Sequence, residues 1–275
     1  MWEEINNFSE WLKVKRYSKN TIKTYISILI KFFNHYWDNT NISEKEIYNY
    51  VNNKVQKWIS ISFQKQIIWA LKQYFNNFLW KKYNFKYISP KWSEYKIPTV
   101  LSKKEVKNII NNIKNLKHKT IISLIYSAWL RLSELIHLKI ENIDSKRMKI
   151  YIKQSKGAKD RTLPLSKWIL KILRIYYKNY KPTKILFPWQ SWWNYSDKSI
   201  QNIIKSASKK AWIKKNITPH TFRHSYATHL LEDWVDIKFI QELLWHQNIK
   251  TTQIYTHVTN PSLDKIQNPF DKIFT

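Results

Sequence analysis

Residues Thr218 to His257 read TPHTFRHSYATHLLEDWVDIKFIQELLWHQNIKTTQIYTH. Two imidazoles (His220 and His246), one guanidinium (Arg223) and one phenol (Tyr255) stand out in this stretch. Pro219 suits the first turn of a helix, and His220 and Arg223, three positions apart, share one face of it. A second short helical run follows, then an interval rich in Thr and Asn, then Tyr255. Basic groups held rigidly beside a mobile phenol suit attack by a tyrosine oxygen on a phosphodiester.

The chain has 275 residues, enough for two domains or one large one. It carries 48 Lys+Arg against 19 Asp+Glu, a net charge of +29. Such an excess calls for a polyanionic partner, and nucleic acid is the one expected. An AT-rich coding sequence, which raises Lys, Asn, Ile and Tyr together, contributes to the same excess. Cysteine is absent, which excludes disulfides, Cys-ligated zinc and a thiol nucleophile. No apolar run of roughly 18 residues occurs, and the N-terminal MWEEINNFSEW starts acidic. Neither a membrane span nor a signal peptide is expected, and the expected location is cytoplasmic.

The composition is abnormal in one respect: there are 1 Gly and 15 Trp. Average usage of roughly 7% would give about 19 Gly. Glycine supplies the positive φ that turns and helix ends need. Tryptophan stands where turns are expected, at Trp189, Trp192 and Trp193 near Pro188 and at Trp234 between Asp233 and Val235. The hypothesis this suggests is that many of these Trp codons are UGA codons that the source organism reads as Gly.

Residues 1 to about 87 read as four helices, over roughly Glu3 to Lys15, the stretch after Ser18 and Asn20, the stretch after Ser43, and Ser60 to Trp80. Apolar residues recur at helical spacing at Ile22, Tyr25, Ile26, Leu29, Ile30 and Phe33, and Ser43 with Glu46 forms a capping-box pattern. Residues 88 to 101, with Pro90 and Pro98, read as a linker. From 102 onward, Ser102 and Glu105 repeat the capping pattern, and two helices follow over Thr120 to Trp129 and Leu132 to Leu138. Met148 to Ile152 and Arg161 to Leu165 read as a β-hairpin with a Lys-rich tip holding the one glycine, Gly157. Helices follow from Ser166 to about Tyr180 and from Ser196 to Ala211. The fold class expected is mainly α, an N-terminal helical bundle followed by a domain with a small β-hairpin or sheet.

Six residues assemble in chain order: Arg131 in SAWLRLSEL, Lys156 in QSKGAKDR, His220 and Arg223 in HTFRH, His246 in LLWHQN and Tyr255 in TTQIYTHV. This ordered set resembles the tyrosine recombinase (phage integrase) family, closest to the Xer type. The family signature runs from an Arg in a GLRxSEL-type helix to a Lys on a β-hairpin, His-x-x-Arg, Leu-Gly-His and a Tyr about nine residues later. The resemblance covers residues 102 to 257 in full and the N-terminal helices less securely. The departures fall at Gly: Trp129 stands before Leu130-Arg131 and Trp245 before His246, while Trp212 and Trp234 stand where a small residue is usual. A genuine indole at 129 and 245 is expected to displace Arg131 and His246.

The resemblance implies a catalytic domain over 102–275 and a role for each residue. Tyr255 is the nucleophile, forming a 3′-phosphotyrosine link, and a phenol of reference pKa about 10 needs nearby base or positive charge to attack. Arg131 and Arg223 hold the nonbridging oxygens of the pentacoordinate state. The chain has only 6 Arg among its 48 Lys+Arg, so an Arg at both places is informative. Lys156 protonates the leaving 5′ oxygen, with Lys153 and Lys159 as rivals. His220 and His246 bind the phosphate and assist proton transfer. Glu134 orients Arg131 or His220. His224, His229 and His257 read as structural or solvent-facing. Neither ATP nor a metal is implied.

Double-stranded DNA is the implied partner, gripped by both domains as a clamp and exchanged through a four-way junction. The tail after Tyr255 either packs on a neighbouring protomer of a homo- or hetero-tetramer or folds back on its own domain. With no arm-binding domain ahead of residue 1, chromosome dimer resolution is expected. The alternatives are a mobile-element integrase of the same fold, and a DNA-binding relative without catalysis if Trp129 and Trp245 are genuine. A type IB topoisomerase shares the chemistry but not the ordered context.

Overall fold

The structure is a computed structural model that describes residues 2–36, 41–92, 98–153, 160–189, 194–244, 249–253 and 255. The chain forms two compact units, Met1–Lys96 and Ile97–Thr275.

The first unit holds helices α1 (Trp2–Val14), α2 (Lys19–His35), α3 (Glu44–Gln56) and α4 (Ile61–Lys72). Each of the last three begins where a serine hydroxyl takes an N–H of the first turn: Ser18 from Thr21, Ser43 from Glu46 and Ser60 from Phe63. At Ser43 the Glu46 carboxylate also accepts the Ser43 N–H at 2.7 Å, completing the capping box. Phe8, Leu29, Phe32, Phe33 and Leu71 interlock in the core, and Phe32 meets Tyr50 edge-on at 4.9 Å between centroids. The fourth helix differs from the expected continuous run to Trp80. The α-helix stops at Lys72 and continues as a π-helical turn, Gln73–Phe78. Successive residues of an α-helix point about 100° apart. The wider turn lets neighbouring Tyr74 and Phe75 both reach full burial.

In the second unit, helix α5 (Lys103–Asn111) opens on the Ser102–Glu105 capping box. Helix α6 (Leu116–Ser127) is its centre, burying Ile121, Ile122, Leu124 and Ile125. A short helix, α7 (Leu132–Ile136), leads to an antiparallel sheet of β1 (Ile143–Asp144), β2 (Lys149–Ile152) and β3 (Arg161–Pro164), in that order. The hairpin register pairs Ile150 with Leu163 and Ile152 with Arg161. Strand β1 has two residues and therefore no alternation to read from sequence. The hairpin tip lies outside the described residues. Then come α8 (Lys167–Tyr180), α9 (Asp197–Lys210), α10 (Pro219–Glu232), α11 (Ile237–Leu244) and α12 (Lys250–Gln253).

Helix α10 packs on α6 and α11, and it also holds the chain where the unit begins. The Leu101 N–H donates to Ser225 Oγ at 2.9 Å, and His229 Nε2 lies 2.9 Å from the Leu101 carbonyl. His229 Nδ1 lies 2.9 Å from the Tyr126 hydroxyl. A buried His229 with both nitrogens engaged is the structural histidine expected. Among the described residues no helix is long and apolar enough to cross a membrane.

Replacing Ser102 by alanine removes the cap of α5 and is expected to destabilise the second unit by about 1 kcal/mol. Urea unfolding followed by circular dichroism measures it, and an unchanged midpoint would contradict it.

Candidate active site

Arg131 is the N-cap of α7, in extended conformation, and Glu134 sits at the third helical position. The Glu134 carboxylate accepts the Arg131 backbone N–H at 2.8 Å and its Nη1–H at 2.9 Å. The spacing that caps the helix therefore also fixes the guanidinium. Glu134 also accepts from Nη2 of Arg161 at 2.5 Å. Both side chains of this second pair are buried, with exposures of 0% for Arg161 and 5% for Glu134. Of the two partners expected for Glu134, the structure provides Arg131.

Thr218 caps α10 by accepting the Thr221 N–H, and Pro219 fills the first turn. His220, at the start of this helix, is open to solvent on one side and covered on the other, while Arg223, one turn on, faces inward and is 4% exposed. Arg223 Nη1 donates to the Trp129 carbonyl at 2.6 Å, and Nη2 donates to the Leu244 carbonyl. Each bond uses one N–H of its nitrogen, leaving donors for a ligand. Burial, with Arg131 and Arg161 nearby, pushes the Arg223 pKa down to about 9, so it stays charged at neutral pH. Partial burial and the charges of Arg223 and Arg131 hold His220 below the usual imidazole range.

Tyr255 is fully buried, and its hydroxyl lies 2.9 Å from Nδ1 of His224. Burial pushes the phenol up to about 12, and the Arg223 charge opposes that shift. Burial, with His220 and Arg223 nearby, pushes His224 down to about 4. At pH 7 the pair is thus a neutral imidazole on a neutral phenol, packed rather than mobile. His224 had read as structural or solvent-facing. Its position next to Arg223 in HTFRH was the only sequence signal for it.

The structure brings Arg131, Glu134, His220, Arg223 and Tyr255 into one neighbourhood. Lys156, its rival Lys159, His246, Trp245 and the tail after Tyr255 lie outside the described residues; Lys153 is exposed at the end of β2. The displacement expected from an indole at 129 does not occur at Arg131. The Trp129 ring turns inward, stacks on Tyr226 at 4.7 Å and donates Nε1–H to the Leu243 carbonyl at 2.9 Å. Arg161 had been read only as a strand residue.

Residues 99–261 match the model of the phage integrase family, and residues 5–84 match the phage integrase N-terminal SAM-like domain. The chain belongs to the phage integrase family. This integrase-family chain is 36% identical to tyrosine recombinase XerA of Pyrococcus horikoshii over 263 residues, 94% of this chain and 90% of the relative. It is 38% identical to tyrosine recombinase XerD of Staphylococcus aureus over 66% of this chain and 65% of that one. The crystal structure of XerA recombinase aligns over 96% of both chains with 30% identity and a TM-score of 0.57. As a family member it is a Xer-type tyrosine recombinase, an enzyme of DNA recombination that transfers DNA strands.

The depressed His224 predicts the recombinase's acid response. The unfolded chain takes up a proton near pH 6.5, whereas the folded chain waits until about 4. Stability from this group is therefore complete above pH ~6.5 and is lost as pH falls toward 4. Urea unfolding at pH 7 and pH 5 is expected to show a drop that His224→Asn reduces. An equal drop in the variant would contradict it.

Proposed function

We propose that Tyr255 attacks a DNA phosphodiester held by Arg131 and Arg223, and that the enzyme thereby cuts and rejoins double-stranded DNA at specific sites. The tyrosine oxygen bonds to phosphorus as the bond to the 5′ oxygen breaks. The strand is left on the protein as a 3′-phosphotyrosine with a free 5′ hydroxyl. Attack by a 5′ hydroxyl of the partner strand reverses the step, so no bond energy is lost and no external energy source is needed.

The observation that supports this reading best is the arrangement around α10. One helix presents His220 and Arg223, with Arg131 adjacent and Tyr255 held against His224 on the next turn. Two guanidiniums placed in advance stabilise charge developing on the nonbridging oxygens, and they do so most effectively where water is excluded. Glu134 fixes one of them. His224, neutral and in contact with the phenol, holds the hydroxyl at rest but, with a pKa of about 4, is too weak a base to take its proton, which passes to His220 as the phenol attacks. His220 contacts the phosphate, as does His246 on this reading, and Lys156 protonates the leaving 5′ oxygen. Because Tyr255 is buried, DNA binding must draw it out before it reaches phosphorus.

The +29 charge suits contact of both the helical domain (1–87, joined by a linker at 88–101) and the catalytic domain (102–275) with phosphates. A lambda integrase tetramer bound to a Holliday junction aligns with a TM-score of 0.75 at 17% identity, a likeness of fold. We place this chain in a tetramer of the same kind, linked through its C-terminal tail, acting in the cytoplasm in chromosome dimer resolution. The XerA and XerD relatives favour that role over mobile-element integration.

A nicked suicide substrate tests the chemistry, since loss of the nicked fragment traps the covalent adduct. The wild-type chain is expected to form the adduct, and Tyr255→Phe to bind DNA without forming it. Arg223→Lys is expected to slow adduct formation about 100-fold or more. An adduct that survives Tyr255→Phe would overturn the assignment. The salt dependence of DNA binding should be steep, and a flat profile would remove the phosphate-contact role from the lysines.

A further inference from the structure

Among the described residues, eight other than glycine have positive φ: Arg16, Trp58, Trp80, Trp129, Met148, Lys181, Trp212 and Trp234, with φ from 40° to 63°. Five of the eight are tryptophan. With 15 Trp in 275 residues, composition alone would place fewer than one there. The left-handed region puts Cβ against the following carbonyl, and only glycine enters it freely.

All five stand just past the end of a helix. The Trp212 N–H donates to Lys209 at 3.1 Å and the Ile213 N–H to Ser208 at 3.1 Å. The Trp234 N–H donates to Leu231 at 3.0 Å and the Val235 N–H to Leu230 at 2.9 Å. These are the paired bonds of a Schellman cap, whose left-handed residue is usually glycine. Trp58 and Trp129 make the shorter of the two bonds, to Val55 and Tyr126, and around Trp80, past the π-helical turn, a bond one residue wider runs from the Lys81 N–H to the Phe75 carbonyl. The rings at 58, 80 and 212 are 95%, 82% and 92% exposed, so they bury almost nothing in return. Trp11 is the contrast: it lies inside α1, stacked on Phe8 at 5.8 Å.

We propose that positions 58, 80, 129, 212 and 234 are glycine in the translated protein, each encoded by UGA read as glycine in the cell of origin. The assignment carries the glycine deficit from composition to named backbone positions. At 129 it reaches the active site, because the left-handed turn there aims the carbonyl that receives Arg223. Peptide mass spectrometry of the protein isolated from its own cells is expected to find glycine at the five positions and tryptophan at Trp11. Tryptophan peptides at the five would overturn the assignment. Recombinant variants test the backbone reason. Trp→Gly at 58, 80 and 212 is expected to raise the melting temperature by roughly 2 to 4 °C each. Trp→Ala at the same positions, which keeps Cβ, is expected to give no such gain. Equal gains from alanine would show that losing the ring, not freeing the backbone, is what matters.

Arg161 carries an independent assignment. Its guanidinium is fully buried, bonds Glu134 through Nη2, and among the described residues leaves Nε and Nη1 without a hydrogen-bond partner. Unpaired buried donors on a charged group are costly and seldom kept without use. Glu134 in turn grips Arg131 at two atoms. We infer that Arg161 is a positioning residue that acts through Glu134 to hold Arg131 in place and adds a third positive charge behind the phosphate. This rests on the reading of Arg131 as a phosphate ligand.

The test is adduct formation at saturating nicked DNA, measured beside DNA affinity and melting temperature. Arg161→Met is expected to slow cleavage at least tenfold while DNA affinity changes less than threefold, and Arg161→Lys to recover part of the rate. In a Glu134→Gln background the Arg161→Met loss should shrink. A variant that melts earlier but cleaves at the wild-type rate when folded would overturn the role, as would an undiminished loss in the Glu134→Gln background. Arg131→Ala run alongside separates the two readings: unchanged cleavage there would remove Arg131 itself.

Discussion

A buried guanidinium is the constraint around which the catalytic unit is arranged. Arg223 is almost wholly removed from water, and a charge in that position survives only with close partners. Its partners are backbone carbonyls, one at the end of α6 and one at the end of α11. Helix ends leave carbonyls without intrahelical partners and carry partial negative charge, so each suits a cation. The same two bonds stabilise the charge and join α10 to the helices on either side.

The carboxylate of Glu134 does the corresponding work for the second guanidinium. It starts α7, orients Arg131 and neutralises part of the charge of Arg161 with a single side chain. Three guanidiniums and one carboxylate leave the pocket with positive charge that water cannot fully screen. That is an electrostatic setting suited to a phosphodiester, and it adds to the burial that already pushes His220 and His224 down.

Much of this was legible in the sequence, for reasons that differ from residue to residue. The capping boxes at Ser43 and Ser102 were readable because they are local: two residues three positions apart decide each. The hairpin was readable because alternation over four or five residues survives in MKIYI and RTLPL. Arg131, Arg223 and Tyr255 were readable because their contexts recur in order. Strand β1 was too short to carry a period. The π-helical turn after Lys72 answers to tertiary packing, where Tyr74 and Phe75 both needed the core. The pairing of His224 with Tyr255, and of Arg161 with Glu134, spans 31 and 27 positions. No local pattern marks the partner in either case: alternation places Arg161 on the inward face of its strand with Leu163 but does not say what it meets there.

The anchoring of Leu101 has a mechanical corollary. Leu101, just ahead of α5, is tied by its amide and carbonyl to Ser225 and His229, which lie one and two turns along the helix bearing His220 and Arg223. Tension travelling down the polypeptide into this unit therefore reaches α10 directly through Leu101, and the loop ahead of that helix through the bond from Lys215 Nζ to the Val100 carbonyl. A tug on that strand of chain is a tug on the helix that carries the guanidinium, so the entry point works as a rein as well as a doorway.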